Sequence, residues 1–266
     1  MTDAPDPVAL LALAAATARE AGALLLSRRD AVHQVGTKTS ETDVVTEMDR
    51  AAEALIVARI LETRPGDGIL GEEGAARPAT TGVRWVIDPL DGTVNYLYRI
   101  PHWAVSIAAE VDGDPVVAAV FDPSKDELFE AARGHGATLN GAPIQPSVQA
   151  DVAQALVGTG FAYDAAVRRL QGPAMARLAP AVRDLRRGGS AALDLCWVAC
   201  GRLDAYYERG VQPWDVSAAS LLVREAGGVS GTLEGTPMTS STTWIASNAA
   251  LADVFRALVT EVSRLP

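Results

Sequence analysis

Val83-Arg84-Trp85-Val86-Ile87-Asp88-Pro89-Leu90-Asp91-Gly92-Thr93 is the stretch on which the reading of this 266-residue chain turns. An apolar run of strand-forming residues ends in a carboxylate, a proline and a second carboxylate, with glycine and threonine behind them. Residues 83–87 read as a buried strand. Asp91-Gly92 is ordinary turn chemistry and needs no further explanation by itself. Asp88 does, because it closes a strand that should be buried, where an unpartnered carboxylate is costly. Pro89 stiffens the turn, so that Asp88, the backbone carbonyl of Leu90 and Asp91 can converge on one point. A hard cation such as Mg²⁺ takes that mixture of carboxylate and carbonyl oxygens as ligands.

The same pattern recurs on either side. Upstream, Ile69-Leu70-Gly71-Glu72-Glu73-Gly74 is a short apolar strand ending in acids, although a Glu-Glu pair also suits a solvated surface. Downstream, Val211-Gln212-Pro213-Trp214-Asp215 puts an acid at the start of a helix, where Asp also serves as an N-cap and complements the helix dipole. Further upstream, a hydroxyl-rich loop containing the lone Lys38 precedes a helix, and Thr46 and Asp49 are spaced as a capping pair. Several acids at the ends of buried elements, with 33 acidic residues against 23 Lys and Arg, point to a divalent-metal site.

Composition narrows the partners. With 48% hydrophobic and 21% charged residues, the chain is an ordinary globular protein, long enough to bury a core without staples. A net charge of −10, with Arg168-Arg169 and Arg186-Arg187 as the notable basic clusters, argues against nucleic acid and anionic membrane as partners. An anionic ligand would then need metal to neutralise it. Cys196 and Cys200, four apart on a predicted helix, read as buried thiols. The first seven residues lack the basic start of a signal peptide and are expected to be disordered. The apolar run at 8–26 is broken by Arg19-Glu20, which suits an amphipathic helix better than a membrane span. A cytoplasmic protein is the expectation.

Periodicity predicts helices at 8–29 and 47–63, then strands at 83–87, 103–111, 116–121 and 127–131, with a hairpin at Asp112-Gly113-Asp114. The second half reads as a strand at 155–159 and helices at 165–178, 190–200 and 214–226, with a strand at 203–207 among them. A strand at 243–246 and a closing helix from Asn248 complete the chain. Strands in groups, not in strict alternation with helices, favour α+β layers.

In order and approximate spacing, Gly71-Glu72-Glu73, Asp88-Pro89-Leu90-Asp91-Gly92-Thr93, and Trp214-Asp215 with Glu225-Ala226-Gly227-Gly228 resemble the inositol monophosphatase family. The match runs from the segment 38–49 to Gly228. The resemblance implies one domain with a layered α/β/α/β/α sandwich in two lobes, about 8–145 and 146–266, usually assembled as a homodimer. It implies lithium-sensitive hydrolysis of inositol 1-phosphate with two or three Mg²⁺ ions per site. Glu72, Asp88, Asp91 and the Leu90 carbonyl would hold the first metals, and Asp215 a further ion shared with Asp91. Asp49 and Thr93 would form a hydrogen-bonded pair that, with Glu72, activates the attacking water. Gly92 and Thr93 would offer backbone N–H groups to phosphate. Gly189, Ser190, Ala191 and Glu208, with Asp215 and Arg186, would face the substrate, and Lys38 would sit on a mobile loop. His33, His102 and His135 lie outside these motifs and receive no role.

Departures from the family pattern are modest. Ser190 stands where Thr is frequent, and Ser217 and Ser220 replace small residues. They leave histidinol phosphate, fructose 1,6-bisphosphate and 3′-phosphoadenosine 5′-phosphate as alternative substrates. A non-catalytic regulatory protein is a further alternative. Tyr207-Glu208 favours an inositol phosphate, because a carboxylate there can accept two ring hydroxyls.

Overall fold

A computed structural model describes residues 6–29, 35–37, 44–236, 238 and 242–264. Helix α1 (Pro7–Arg28) leads into the short strands β1 (Val35–Thr37) and β2 (Val44–Thr46), then α2 (Glu47–Thr63), β3 (Gly68–Gly71), β4 (Ala76–Arg77) and β5 (Val83–Asp91). A one-turn helix α3 (Thr93–Leu97) precedes β6 (Ala104–Val111), β7 (Asp114–Asp122), β8 (Glu127–Ala132), β9 (Ala137–Leu139) and β10 (Ala142–Pro143). The second half contains β11 (Leu156–Thr159), α4 (Ala165–Leu178), β12 (Asp184–Arg186), α5 (Ala191–Ala199) and β13 (Ala205–Arg209). It ends with α6 (Pro213–Glu225), β14 (Val229–Thr232), β15 (Thr243–Ser247) and α7 (Ala252–Ser263).

Two large sheets organise these elements. The first has the order β10-β9-β8-β7-β6-β5-β3-β4 and is antiparallel except where β3 runs parallel to β5. The second, β12-β11-β13-β15-β14, is parallel across its first three strands.

Alternation along the strands separates the layers. Trp85, Ile87, Val105, Ile107, Val117 and Phe121 face α1 and α2, meeting Leu10, Ala14, Ala18, Leu25, Ile56 and Ile60. Their neighbours Val86, Ala108, Ala118 and Val120 face the other way, onto α5 and α6. On the second sheet Tyr206 joins that middle layer, whereas Ala205 and Tyr207 pack outward with Leu178, Phe255 and Val259 of α4 and α7. The result is the expected α/β/α/β/α sandwich. Each buried Leu, Ile or Phe contributes roughly 1.5–3 kcal/mol relative to exposure.

Small residues set the helix spacing. A Cβ on Gly22 would lie 2.6 Å from Phe121 Cδ1, so α1 rides directly on β7. By length and composition α1 could cross a membrane, but its face from Leu10 to Leu25 is occupied by this sheet. Arg19–Asp126 and Glu20–Arg59 ion pairs tie its polar face to the rest of the fold.

The structure corrects several boundaries. Asp6 and Pro7, expected in a disordered lead, belong to α1: the Asp6 carboxylate caps Val8 N–H at 3.0 Å, and Pro7 occupies the first turn, where a missing N–H costs nothing. Residues 1–5 lie outside the described residues. Asn248 does not begin the last helix; its Oδ1 accepts from Leu251 N–H, and α7 starts at Ala252. The hairpin at 112–114 has Asp112 and Gly113 at φ 55° and 83°, the two left-handed residues that a type I′ turn needs.

The largest correction concerns β5. The strand continues through Asp88 to Asp91, and the ladder to β6 slips between the pairs Asp88↔Ser106 and Asp91↔Ala104. The expected turn is therefore a bulge inside a strand. Pro89 is tolerated there because a bulge leaves a residue out of the ladder, and proline has no N–H to contribute.

Candidate active site

The β5 bulge opens onto a cavity of about 440 Å³ lined by the ends of β3, β5, β11 and β13 and by the first turns of α3, α5 and α6. Asp88 is buried, and its Oδ1 accepts from Leu90 N–H at 3.0 Å, which sets the local path of the bulge. Asp91 follows and is held through one oxygen: its Oδ2 accepts from Ser190 Oγ at 2.6 Å and from Ala192 N–H at 2.7 Å. Gly92 then takes φ 93° in a space where a Cβ would meet the His102 carbonyl oxygen at 3.1 Å. Only glycine satisfies both conditions without strain.

That sharp reversal delivers Thr93 to the start of α3. Its Oγ1 lies 3.0 Å from the Leu90 carbonyl oxygen and 3.3 Å from Asp49 Oδ2, so a single hydroxyl proton is offered to two acceptors. Asp49 comes from the first turn of α2 and is fully buried. Nothing is described of the Thr46 side chain that was paired with it as a cap, and Lys38 lies outside the described residues.

Glu72 enters from the loop after β3, its own N–H bonded to the Ile87 carbonyl at 3.1 Å. Asp215 is the third residue of α6, not its N-cap. Gln212 is the cap, and Asp215 Oδ2 accepts from Gln212 N–H at 2.6 Å. Glu208 lines the same cavity from β13, half-buried and accepting from Tyr206 Oη at 2.6 Å. Gly160 makes room for it; a Cβ there would fall 2.0 Å from Glu208 Oε2.

Thus the cavity brings together Glu72, Asp88, Leu90, Asp91, Gly92, Thr93, Gly189, Ser190, Ala191, Glu208 and Asp215, with Asp49 behind Thr93. One expectation changes and another gains a detail. Ser190 lines the cavity, and its hydroxyl donates to Asp91 and accepts from Leu193 N–H at 3.2 Å, which caps α5. It therefore positions Asp91. Arg186 is ion-paired with Asp184 at 2.6 Å and is absent from the cavity lining; Arg187 lines it instead. Side chains alternate along an extended segment, so only one of the pair can turn inward.

The electrostatics are those of crowded anions. Burial pushes the Asp88 carboxyl well above its ordinary range, and the charges of Glu72, Asp91, Asp215 and Asp49 push it further. Burial raises Asp215 strongly too, with Asp91 and Glu72 adding to it. Asp91 is pushed up to about 6 by burial, against the bonds from Ser190 and Ala192. Glu208 is pushed up to about 7, again by burial first. The guanidiniums that line the cavity are Arg187 and Arg209. Mutually repelling carboxylates, a carbonyl and a hydroxyl form an all-oxygen donor set, which suits a hard divalent cation. Among the described residues no three Asp, Glu, His or Cys side chains are already drawn together as a metal cluster, so an ion would have to pull the donors inward.

Other residues of the cavity escaped the sequence reading. Phe161, Ala162, Tyr163 and Asp164 follow β11 as one wall. The buried Gln171 holds that loop by accepting from Ala162 N–H at 3.1 Å. Asp194 lines the cavity from α5, with His102 Nε2 3.3 Å from its Oδ1. His102, to which no role was given, thus buttresses the wall from behind. Asn95 adds to this by donating to the carbonyls of His102 and Gly188, at 2.7 and 2.9 Å. Arg187 had a signal in the Arg186-Arg187 pair; the others had none.

Comparison with known proteins agrees with this geometry. The family model described as the inositol monophosphatase family matches residues 6–264. The inositol-1-monophosphatase SuhB of Mycobacterium tuberculosis is 45% identical over 241 residues, 84% of this chain and 83% of that protein. The Nus factor SuhB of Escherichia coli is 43% identical over 225 residues, 83% of this chain and 84% of that protein. Among solved structures, the extragenic suppressor protein suhB of Bartonella henselae superposes with a TM-score of 0.89 at 33% identity, covering 96% of this chain and 98% of that one. The chain belongs to the inositol monophosphatase family of phosphatases.

Proposed function

We propose that this protein is a Mg²⁺-dependent phosphomonoesterase that hydrolyses inositol 1-phosphate to inositol and phosphate. One observation supports the reading: Asp88, Leu90 and Asp91 of the β5 bulge line the same cavity as Glu72, Asp215 and Glu208. The name of the mycobacterial relative supports the choice of substrate. Glu72, Asp88, the Leu90 carbonyl, Asp91 and Asp215 would hold two or three Mg²⁺ ions. Bound there, Mg²⁺ neutralises the phosphate and makes a water more acidic.

The remaining work falls to the chain's own groups. Asp49 accepts from Thr93, which leaves the Thr93 oxygen free to accept a proton from the attacking water while passing its own to Asp49. The N–H groups of Gly92 and Thr93, at the start of α3, would donate to a phosphate oxygen. Glu208 accepts hydroxyls of the leaving alcohol.

A phosphate-release panel over inositol 1-phosphate, histidinol phosphate and fructose 1,6-bisphosphate tests the proposal, with Mg²⁺ added and then chelated. Inositol 1-phosphate should give the highest kcat/KM, chelation should abolish release, and Li⁺ should inhibit at elevated Mg²⁺. Release that survives chelation would sink the metal reading. No release from any substrate would favour the regulatory alternative. Independently of turnover, Mg²⁺ at a hundred times its Kd should stabilise the fold by about 2.7 kcal/mol, visible as a rise in Tm.

Glu208→Gln should lower kcat/KM on inositol 1-phosphate by about 10- to 100-fold, since a charge-assisted hydrogen bond contributes roughly 1.5–3 kcal/mol. An aryl phosphate without hydroxyls should be cleaved nearly as before. Because burial raises Glu208 to about 7, its carboxylate form grows as pH rises from 6 to 8. The preference for inositol phosphate over aryl phosphate should therefore rise over that window, and Glu208→Gln should flatten it. Equal losses on both substrates would make Glu208 a support of the fold.

A further inference from the structure

Glu53 is a buried carboxylate that the proposed chemistry does not use. It lies on α2, one turn beyond Asp49, so both side chains leave the same face of the helix. Asp49 meets Thr93, whereas Glu53 reaches into the loop between β3 and β4 that carries Glu72. There it accepts two backbone bonds: Glu73 N–H donates to Oε2 at 2.9 Å and Ala75 N–H to Oε1 at 3.0 Å. Room for the carboxylate comes from Gly71, where a Cβ would lie 2.1 Å from Glu53 Oε2. Arg50, one residue past Asp49 on α2, is ion-paired with Glu73 at 3.7 Å. The second acid of the Glu72-Glu73 pair is thereby engaged with the helix, and Glu72 is the one that lines the cavity.

A buried carboxylate is costly unless hydrogen-bonded, and here both oxygens are engaged by the two amides that bracket the loop tip. The N–H of Glu72 itself is fixed to Ile87 of β5. The loop is therefore held on one side by the bulge strand and on the other by α2.

We propose that Glu53 is a positioning residue: by clamping the amides of Glu73 and Ala75 it holds Glu72 in place for metal, and through α2 it registers Glu72 against the Asp49–Thr93 pair. This rests on the metal-phosphatase reading above. It assigns α2 two tasks one turn apart and gives Gly71 a reason to lack a side chain.

The test is Mn²⁺ binding by titration calorimetry on the full chain, with amide hydrogen exchange over 71–75, for wild type and Glu53→Gln. The Gln variant keeps the length but turns a donor toward one of the two N–H groups. It should bind Mn²⁺ about 10- to 100-fold more weakly, as expected when the partner that orients a ligand is lost. The amides of Glu73 and Ala75 should exchange faster. A folded variant with Mn²⁺ affinity within about twofold of wild type would overturn the inference, since a purely structural carboxylate would lower Tm without touching the affinity of the folded molecules. If the variant does not fold, the metal-free wild type decides: the two amides should exchange at least about tenfold slower than an open chain, and free exchange there would overturn the clamp. A wild type that neither binds Mn²⁺ nor releases phosphate would instead sink the phosphatase reading.

Discussion

Asp91→Asn should lower phosphate release on every substrate by about a thousandfold, because several kcal/mol of charge stabilisation depend on that ligand and each 1.4 kcal/mol is tenfold in rate. The structure explains why the change should be clean. Asp91 uses a single oxygen to accept from Ser190 Oγ and Ala192 N–H, and the amide oxygen of Asn can take both bonds. The cap of α5 and its attachment to the bulge then survive. What disappears is the charge on the other oxygen, the one proposed to bind metal.

The same substitution should stabilise the metal-free chain. In the fold Asp91 keeps its proton up to about pH 6, against 3.8 for the ordinary carboxyl, so between those values the native state binds more protons than the unfolded one. Stability present below pH 4 is therefore lost as pH rises through about 6. An amide at 91 does not titrate. The metal-free variant should exceed metal-free wild type above pH 7 by on the order of 1–3 kcal/mol. Thermal melts at pH 5 and 8, with and without Mg²⁺, check this. Wild type should gain Tm on adding Mg²⁺, and the variant should gain little. A variant that loses stability at pH 8 but cleaves normally per folded molecule would make Asp91 only a helix anchor.

How much of this could be read from the residues depends on the kind of signal. The layers were legible, because strands from 83 to 132 alternate between two apolar faces and helices such as 47–63 and 165–178 are found at the bounds that periodicity predicts. Acids at strand ends were legible because burying them unpaired is costly. Asp88 and Asp91 stood out even though their turn proved to be a bulge, since turn and bulge both interrupt the ladder and leave the same residues facing the opening. Contacts between distant segments were not legible. Ser190 reads as a polar residue at a helix start; that its proton goes to Asp91, 99 residues earlier, needs the packed sandwich. Glu53 was invisible for the same reason, since on a helix surface one glutamate looks like another until Gly71 is brought beneath it. The choice between Arg186 and Arg187 depends on which way one extended residue points, which periodicity cannot fix without a register.

Thr93→Val should reduce kcat by about 10²- to 10⁴-fold, the range in which a positioned proton acceptor contributes, with KM for inositol 1-phosphate little changed. Valine has nearly the shape of threonine, so the fit of residue 93 beneath the bulge is kept while its hydroxyl is removed. The backbone N–H of residue 93 also remains, so phosphate binding should persist, which is why the loss should fall on kcat. Asp49→Asn should cause a loss of similar size, since an amide cannot take the proton that Thr93 would pass on. If the two act as one relay, the double variant should be little worse than either single one, as removing any member disables the unit. Multiplying losses would show two independent roles. A structural pair would behave differently. Removing the Thr93 hydroxyl leaves the Leu90 carbonyl and Asp49 short of a donor, at a cost of about 1–3 kcal/mol in stability, and activity per folded molecule would be unchanged. Thr93→Ser separates the cases further. The hydroxyl is restored without the methyl, so turnover should return to within about tenfold of wild type if proton transfer is what residue 93 supplies. If instead the serine variant stays as slow as valine, the methyl and its packing under the bulge set the rate, and the relay through Asp49 is wrong.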